Sequence, residues 1–315
     1  MIRIQNATRR YGGVLAVDGV SAAIEGGEVV GLLGHNGAGK TTLMKMLTGV
    51  LEPTAGTLTI ADHSVTEART EAQRHVGYLP ESAPLYPEMS VFDYLMLMAE
   101  LRGVPRDAQE AAVVKAVRAT GLDARMAQPI RELSKGFRQR VGIAQAIVHD
   151  PDVLILDEPT NGLDPVQIES IRALVKDLAQ RTTIILSTHI LQEVEAVCDR
   201  VMILIGGQLV ADAPLADLLA TDRILVSLDQ ADARGRLGAL DGVAKVEALG
   251  PDARNAGFTR YAVTFPGAAA VHVAALLGLA SEQGWQVASI GREERTLETV
   301  FKQLQIDHAR QRGVA

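Results

Sequence analysis

Gly34, His35, Asn36, Gly37, Ala38, Gly39, Lys40 and Thr41 satisfy the spacing GxxxxGK[ST]. They sit between an apolar run, EVVGLLG at 28–34, and a helix-compatible stretch, KTTLMKMLTGV at 40–50. These residue types in this order suit the holding of phosphate. Glycines let the backbone curl until successive N–H groups surround anionic oxygens, and the start of the following helix adds donors of the same orientation. Lys40 supplies positive charge for the β and γ phosphates of a nucleotide, and Thr41 supplies a hydroxyl ligand for Mg²⁺. Thr42, next on the helix, is grouped with the nucleotide-binding residues.

A second chemical group follows the apolar run VLIL, where Asp157 and Glu158 stand at the end of an expected core strand. Asp157 is the candidate for organising Mg²⁺, and Glu158 the candidate for polarising a water as the γ-phosphoryl bond breaks. His189 ends another apolar run, TTIILSTH. It could contact the γ phosphate or orient the water, or serve as a structural hydrogen-bonding residue. Cys198 is the sole cysteine, so no internal disulfide forms. With no second thiol nearby, it reads as a packed residue in a chain from a reducing compartment.

Positioning these groups requires strands that end in polar residues with helical connections between them. That pattern predicts an α/β fold with a mainly parallel sheet and its chemistry at the carboxyl ends of the strands. A stretch rich in methionine and aromatics begins a helix near Val91 and reads as a small helical core. After about residue 220 the text changes: RILVSLD, VAKVEALG, FTRYAVTFP and WQVASIG read as short strands, while 269–280 and 296–304 can form helices. At 315 residues the chain has room for about two domains. The expectation is a nucleotide-binding domain over 1–220 and a small α+β extension over 221–315.

With 38 acidic against 31 basic residues the net charge is −7, which gives no support to a long basic groove for nucleic acid. No apolar run reaches the roughly 18 residues of a membrane helix, and the opening MIRIQNATRRYGG lacks the apolar core of a secretory signal. The sequence therefore predicts a cytoplasmic protein, compatible with docking to a membrane partner.

At LSKGFRQR, residues 133–140, the combination grows more specific. With the phosphate loop, Asp157 and Glu158, NGLD at 161–164 and His189, the first 220 residues or so resemble the ATP-binding subunits of ABC transporters. The resemblance implies a P-loop nucleotide-binding core with a helical subdomain, ATP and Mg²⁺ as cofactors, and Mg²⁺-dependent ATP hydrolysis with Glu158, His189 and Lys40 as catalytic residues. It also implies head-to-tail pairing with a second ATP-binding subunit, most simply a homodimer. Ser134 and Gly136 would then touch the γ phosphate held by the partner, Asp164 would help connect the paired sites, and Tyr11 would stack on adenine.

Two departures stand out. The common LSGGQ carries Lys135 and Phe137 at its third and fifth positions, which resembles an export-related bacterial branch. Glu81 stands where many members have glutamine; a carboxylate donates no amide hydrogen bond, so Glu81 is assigned to water or Mg²⁺. The stretch APLYPEMSVFDYLMLMAEL resembles the region that meets a membrane subunit. The C-terminal text resembles the small extension of subunits related to drug, polysaccharide and gliding-associated exporters, and could regulate, stabilise or help pair them. The implied function is ATP-driven transport through separately encoded membrane subunits, from the cytoplasmic face of the inner membrane, with no direct nucleic-acid contact. The competing classes are a soluble ABC ATPase that acts as a mechanical switch on ribosomes or DNA, and an inactive regulatory partner.

Overall fold

The computed structural model describes residues 1–266 and 272–311. The chain opens with β1 (Ile2–Tyr11) and β2 (Val14–Ile24), paired as an antiparallel hairpin. Then come β3 (Val29–Leu33), α1 (Lys40–Leu47), β4 (Ala55–Ile60), β5 (His63–Ser64), α2 (Arg69–Arg74) and β6 (Val76–Leu79). Three helices follow, α3 (Val91–Leu101), α4 (Gln109–Thr120) and α5 (Lys135–Ile147). The chain then alternates through β7 (Val153–Asp157), α6 (Pro165–Ala179), β8 (Thr183–Thr188), α7 (Leu191–Val197), β9 (Arg200–Ile205), β10 (Gln208–Pro214) and α8 (Leu215–Leu219).

The central sheet runs in the order β10-β9-β3-β8-β7-β6, with parallel pairing from β9 through β6 and β10 antiparallel at the edge. Every residue of β3, β7 and β8 is buried, as expected of strands covered on both faces. The fold is the α/β architecture read from the sequence. Its parallel register carries the phosphate loop after β3, Asp157 and Glu158 at the end of β7, and His189 after β8 to the same edge. The short N-terminal runs join a separate antiparallel sheet, order β2-β1-β4-β5, whose Ile2, Ile4 and Leu58 enter one core with Leu32, Met44 and Ile155.

Helices α3, α4 and α5 enclose their own core of Tyr94, Leu95, Val113, Val117, Val141 and Ala144, with Met89, Met96 and Met98 packed against it. The methionine-rich stretch is thus core material. Ser90 caps α3 by accepting the Asp93 N–H at 3.1 Å, and Ser134 caps α5 by accepting the Phe137 N–H at 3.4 Å. The approach of α5 to β6 depends on Gly77, where a Cβ would lie 2.1 Å from the Ala146 carbonyl oxygen. Gly77→Ala therefore forces helix and strand apart and should cost about 2–3 kcal/mol, lowering Tm by roughly 5–10 °C in a thermal melt.

By contact density the chain divides into Met1–Leu215 together with the residues from Phe301 on, and a second unit, Ala216–Val300. The second unit runs β11 (Arg223–Leu228), α9 (Arg234–Gly238), β12 (Lys245–Pro251), β13 (Thr259–Thr264), α10 (Val273–Glu282) and β14 (Val287–Arg292). Its antiparallel sheet has the order β12-β13-β11-β14, a split βαβ arrangement over a core of Val226, Tyr261, Phe265 and Leu276. The Tyr261 hydroxyl donates to the Gln230 carbonyl at 2.7 Å and accepts the Ala233 N–H at 3.1 Å. Four strands stand where the sequence predicts them. Helix α10 starts at Val273; positions 269–271 of the expected helix, and 312–315 of the expected C-terminal extension, lie outside the described residues. Helix α11 (Leu297–Gln311) continues seven residues past the expected 304.

Candidate nucleotide site

The phosphate loop is built as its residue types require. Gly39, immediately before α1, has φ +104°, and a Cβ there would lie 2.4 Å from the Ala16 carbonyl oxygen, so both conformation and space call for glycine. Lys40 is 6% exposed and donates from Nζ to the Gly34 carbonyl at 2.6 Å and the His35 carbonyl at 3.3 Å. Its ammonium group is thereby held within the loop. Burial draws its pKa below the ordinary lysine value, while Glu158, Asp157 and Glu81 push it back up. Ala38 is buried beneath the loop, and Thr41 and Thr42 begin α1.

The carboxylates at the end of β7 differ in environment. Asp157 is 1% exposed; Ser187 Oγ donates to its Oδ1 at 2.5 Å, and its Oδ2 has no hydrogen-bond partner among the described residues. Glu158 is 8% exposed and sits in the left-handed region at φ 51°, a conformation that costs a non-glycine residue about 1 kcal/mol. Its N–H donates to both the carbonyl and the hydroxyl oxygen of Ser187 at 3.1 Å, which holds the turn. Glu158 Oε2 lies 2.8 Å from His189 Nδ1 and Oε1 4.0 Å from Lys40 Nζ. Burial raises the pKa of Glu158 above the usual glutamate value, with His189 and Lys40 opposing the rise.

A cleft of about 330 Å³ is lined by His35, Asn36, Gly37, Gly39, Lys40, Thr41, Thr42, Glu81, Glu158 and His189, with Ala16 and Asn161 beside them. Glu81 accepts the Asn161 side-chain amide at 3.2 Å. The imidazole of His35 meets the ring of Phe301 edge-on, centroids 4.9 Å apart, and its Nε2 meets the Gln305 amide. Ser134 and Gly136 line a different cavity with Phe137, Arg140, Gln167 and Ser170. Tyr11 stands at the turn between β1 and β2, 46% exposed, with the Arg9 guanidinium 4.8 Å from its ring centroid, and is not among the residues that line the cleft. Asp164 caps α6 by accepting the Gln167 N–H at 2.9 Å. Cys198 is buried, its Sγ 3.0 Å from where a Cβ on Gly31 would be, and its thiol is pushed up to about 12 by burial.

Sequence reasoning assigned no role to Ala16, Asn161, Ser187 or Glu193. Ser187 and Thr188 leave a faint signal, two polar residues that follow the apolar run 184–186 at the end of β8; both are fully buried. Asn161 lies within the NGLD stretch, but its partner Glu81 is eighty positions away.

The family model described as ABC transporter matches residues 17–161. The chain is similar to the Nod factor export ATP-binding protein I of Burkholderia orbicola, at 38% identity over 67% of this chain and 70% of that one. It is also similar to the bacitracin transport ATP-binding protein BcrA of Enterococcus faecalis, at 35% identity over 74% of this chain and 76% of that one. Among solved structures, a dimeric bacterial ABC transporter cassette superimposes with a TM-score of 0.62 at 25% identity, covering 68% of this chain and 99% of that chain. Phosphate loop, buried carboxylate pair, sheet order and these relatives agree: the chain belongs to the ABC transporter family as an ATP-binding subunit, an ATPase that drives transport through membrane subunits on other chains.

Proposed function

We propose that this chain works as one half of an Mg²⁺-dependent ATPase dimer, docked on membrane-spanning subunits at the cytoplasmic face of the inner membrane and serving export. Residues 1–220 would form the ATP-driven part and 221–315 an accessory region. The observation that carries the reading is the separation of two phosphate-directed groups. Lys40, Thr41, Glu158 and His189 line one cleft, while Ser134 and Gly136 line another. A second copy that offers its Ser134 and Gly136 to the first cleft would complete the site. The Ser134 hydroxyl accepts a helix N–H and so keeps its own hydrogen free to donate to a phosphate. A dimeric relative and the export and transport names of others support the same reading. Among the described residues no helix is long and apolar enough to cross a membrane, so the pathway would lie in partner chains.

Within the cleft, the backbone of 34–39 and Lys40 would hold the β and γ phosphates, and Tyr11 would bear on the adenine. Glu158 would take a proton from the attacking water, with His189 holding that carboxylate in place. Mg²⁺, when bound, neutralises charge on the β and γ oxygens. The free Oδ2 of buried Asp157 fits such an ion, with Thr41 Oγ1 and Glu81 as further donors. Among the described residues no cluster of three or more His, Cys, Asp or Glu forms a metal cage, which suits a cation that takes most of its shell from water and phosphate.

The dimer is tested with hydrolysis blocked. Glu158→Gln protein given ATP should double in molar mass by light scattering, from the 33.6 kDa of one chain. Adding Ser134→Arg to it should leave ATP affinity within about 2-fold yet keep the chain monomeric, because the bulky side chain obstructs the facing site. A double variant that dimerises as well as Glu158→Gln alone would refute the composite site.

A further inference from the structure

The loops that carry Glu158 and His189 leave neighbouring strands, β7 and β8, whose register sets Asp157 beside Ser187. One backbone bond continues past the end of β7, from the Glu158 N–H to the Ser187 carbonyl at 3.1 Å, and the Glu158 and His189 side chains meet at 2.8 Å. A third residue spans them. Glu193, in the first turn of α7, is 1% exposed, and its Oε2 accepts the Thr160 hydroxyl at 2.6 Å and the Thr188 hydroxyl at 3.0 Å. Thr160 lies two residues after Glu158, and Thr188 immediately precedes His189. Thr188 Oγ1 in turn accepts the Ile190 N–H at 3.0 Å, so the loop is held on both sides of His189.

Stability alone is a poor account of this carboxylate. Its Oε1 has no hydrogen-bond partner among the described residues, and a buried acceptor left unpaired is costly where an apolar side chain would pack freely. Groups retained against such a cost tend to mark functional constraint. One oxygen that receives a hydroxyl from each catalytic loop acts as a cross-brace between them.

We propose that Glu193 is a positioning residue for hydrolysis, holding the Glu158 and His189 loops together through Thr160 and Thr188. The proposal rests on the reading of Glu158 as the group that accepts the water proton. Misplacing reacting groups by about 1 Å can cost on the order of 100-fold in rate while leaving substrate binding intact.

The test uses the chain assembled with its membrane subunits. Glu193→Ala should lower kcat by about 10-fold to 100-fold and leave the KM for ATP within about 2-fold. Glu193→Gln, which keeps an acceptor oxygen, should retain most of the turnover. Combining Glu193→Ala with His189→Ala should add little to the loss from His189→Ala alone. A Glu193→Gln chain as slow as Glu193→Ala, or losses that multiply, would overturn the proposal. If Glu193→Ala does not fold, Thr160→Val and Thr188→Val remove one hydroxyl each with little change of volume, and the same outcomes decide. Glu158→Gln is measured alongside. Full turnover there would refute the base itself, whereas a dead Glu158→Gln with full turnover in Glu193→Ala would refute the brace alone.

Discussion

Glu158→Gln should bind ATP about as tightly as the parent chain and turn it over roughly 10²-fold to 10⁴-fold more slowly, the range spanned by loss of a positioned general base. The substitution keeps size, leaves one amide oxygen to take the place of either Oε1, 4.0 Å from Lys40 Nζ, or Oε2, 2.8 Å from the His189 ring, and removes the negative charge together with the capacity to take a proton. The parent enzyme should carry a matching pH signature. Burial raises the Glu158 pKa, so the acid limb of kcat should lie above the usual carboxylate range. Rate is lost as pH falls through that raised pKa, because the protonated group accepts nothing. Single-turnover kinetics across pH, with nucleotide binding measured separately, checks both statements. A Glu158→Gln chain that hydrolyses ATP at the parent rate would remove Glu158 from the mechanism.

Lys40→Ala should fail one step earlier. The ammonium is fixed by two loop carbonyls at 2.6 Å and 3.3 Å, so it meets the phosphates without first giving up rotamer freedom. Its removal should weaken ATP binding by about 3 kcal/mol, or roughly 100-fold in Kd, the scale of one or two charge-assisted hydrogen bonds. A second effect runs through the carboxylates. Lys40 Nζ lies 4.0 Å from Glu158 and acts on Asp157 and Glu81 as well. Without it, buried negative charge loses compensation, and the Glu158 pKa should climb further. Calorimetric titration of ATP reads the first effect and the acid limb of residual turnover the second. The two substitutions thus separate holding from cleaving: binding with no turnover for Glu158→Gln, and little binding at all for Lys40→Ala.

Much of this site was legible before any coordinates. The phosphate loop is a local object, since one strand end, a glycine-rich turn and one helix start contain every atom that defines it. The same holds for Asp157 and Glu158, announced by the apolar run before them, and for the helix that begins near Val91. The four strands of the second unit show in period and turn residues alone. Less visible were the partners that each side chain acquires across the chain. Ser187 reaches Asp157 and Asn161 reaches Glu81 over sequence separations that no periodicity encodes.

By itself the sequence determined that the chain handles a nucleotide, that its chemistry stands at the carboxyl ends of buried parallel strands, and that a second, smaller α+β unit follows. Each of these rests on short-range rules of spacing, polarity and backbone freedom. Only tertiary structure decided which strands are neighbours, and with that order the pairing of Glu158 with His189, the orphaned oxygen of Asp157, the Glu193 brace and the separation of Ser134 from the Lys40 cleft. Those features arise from packing two faces of a sheet at once. Hydrogen bonds between residues distant in sequence exist only after the hydrophobic core has set which elements touch.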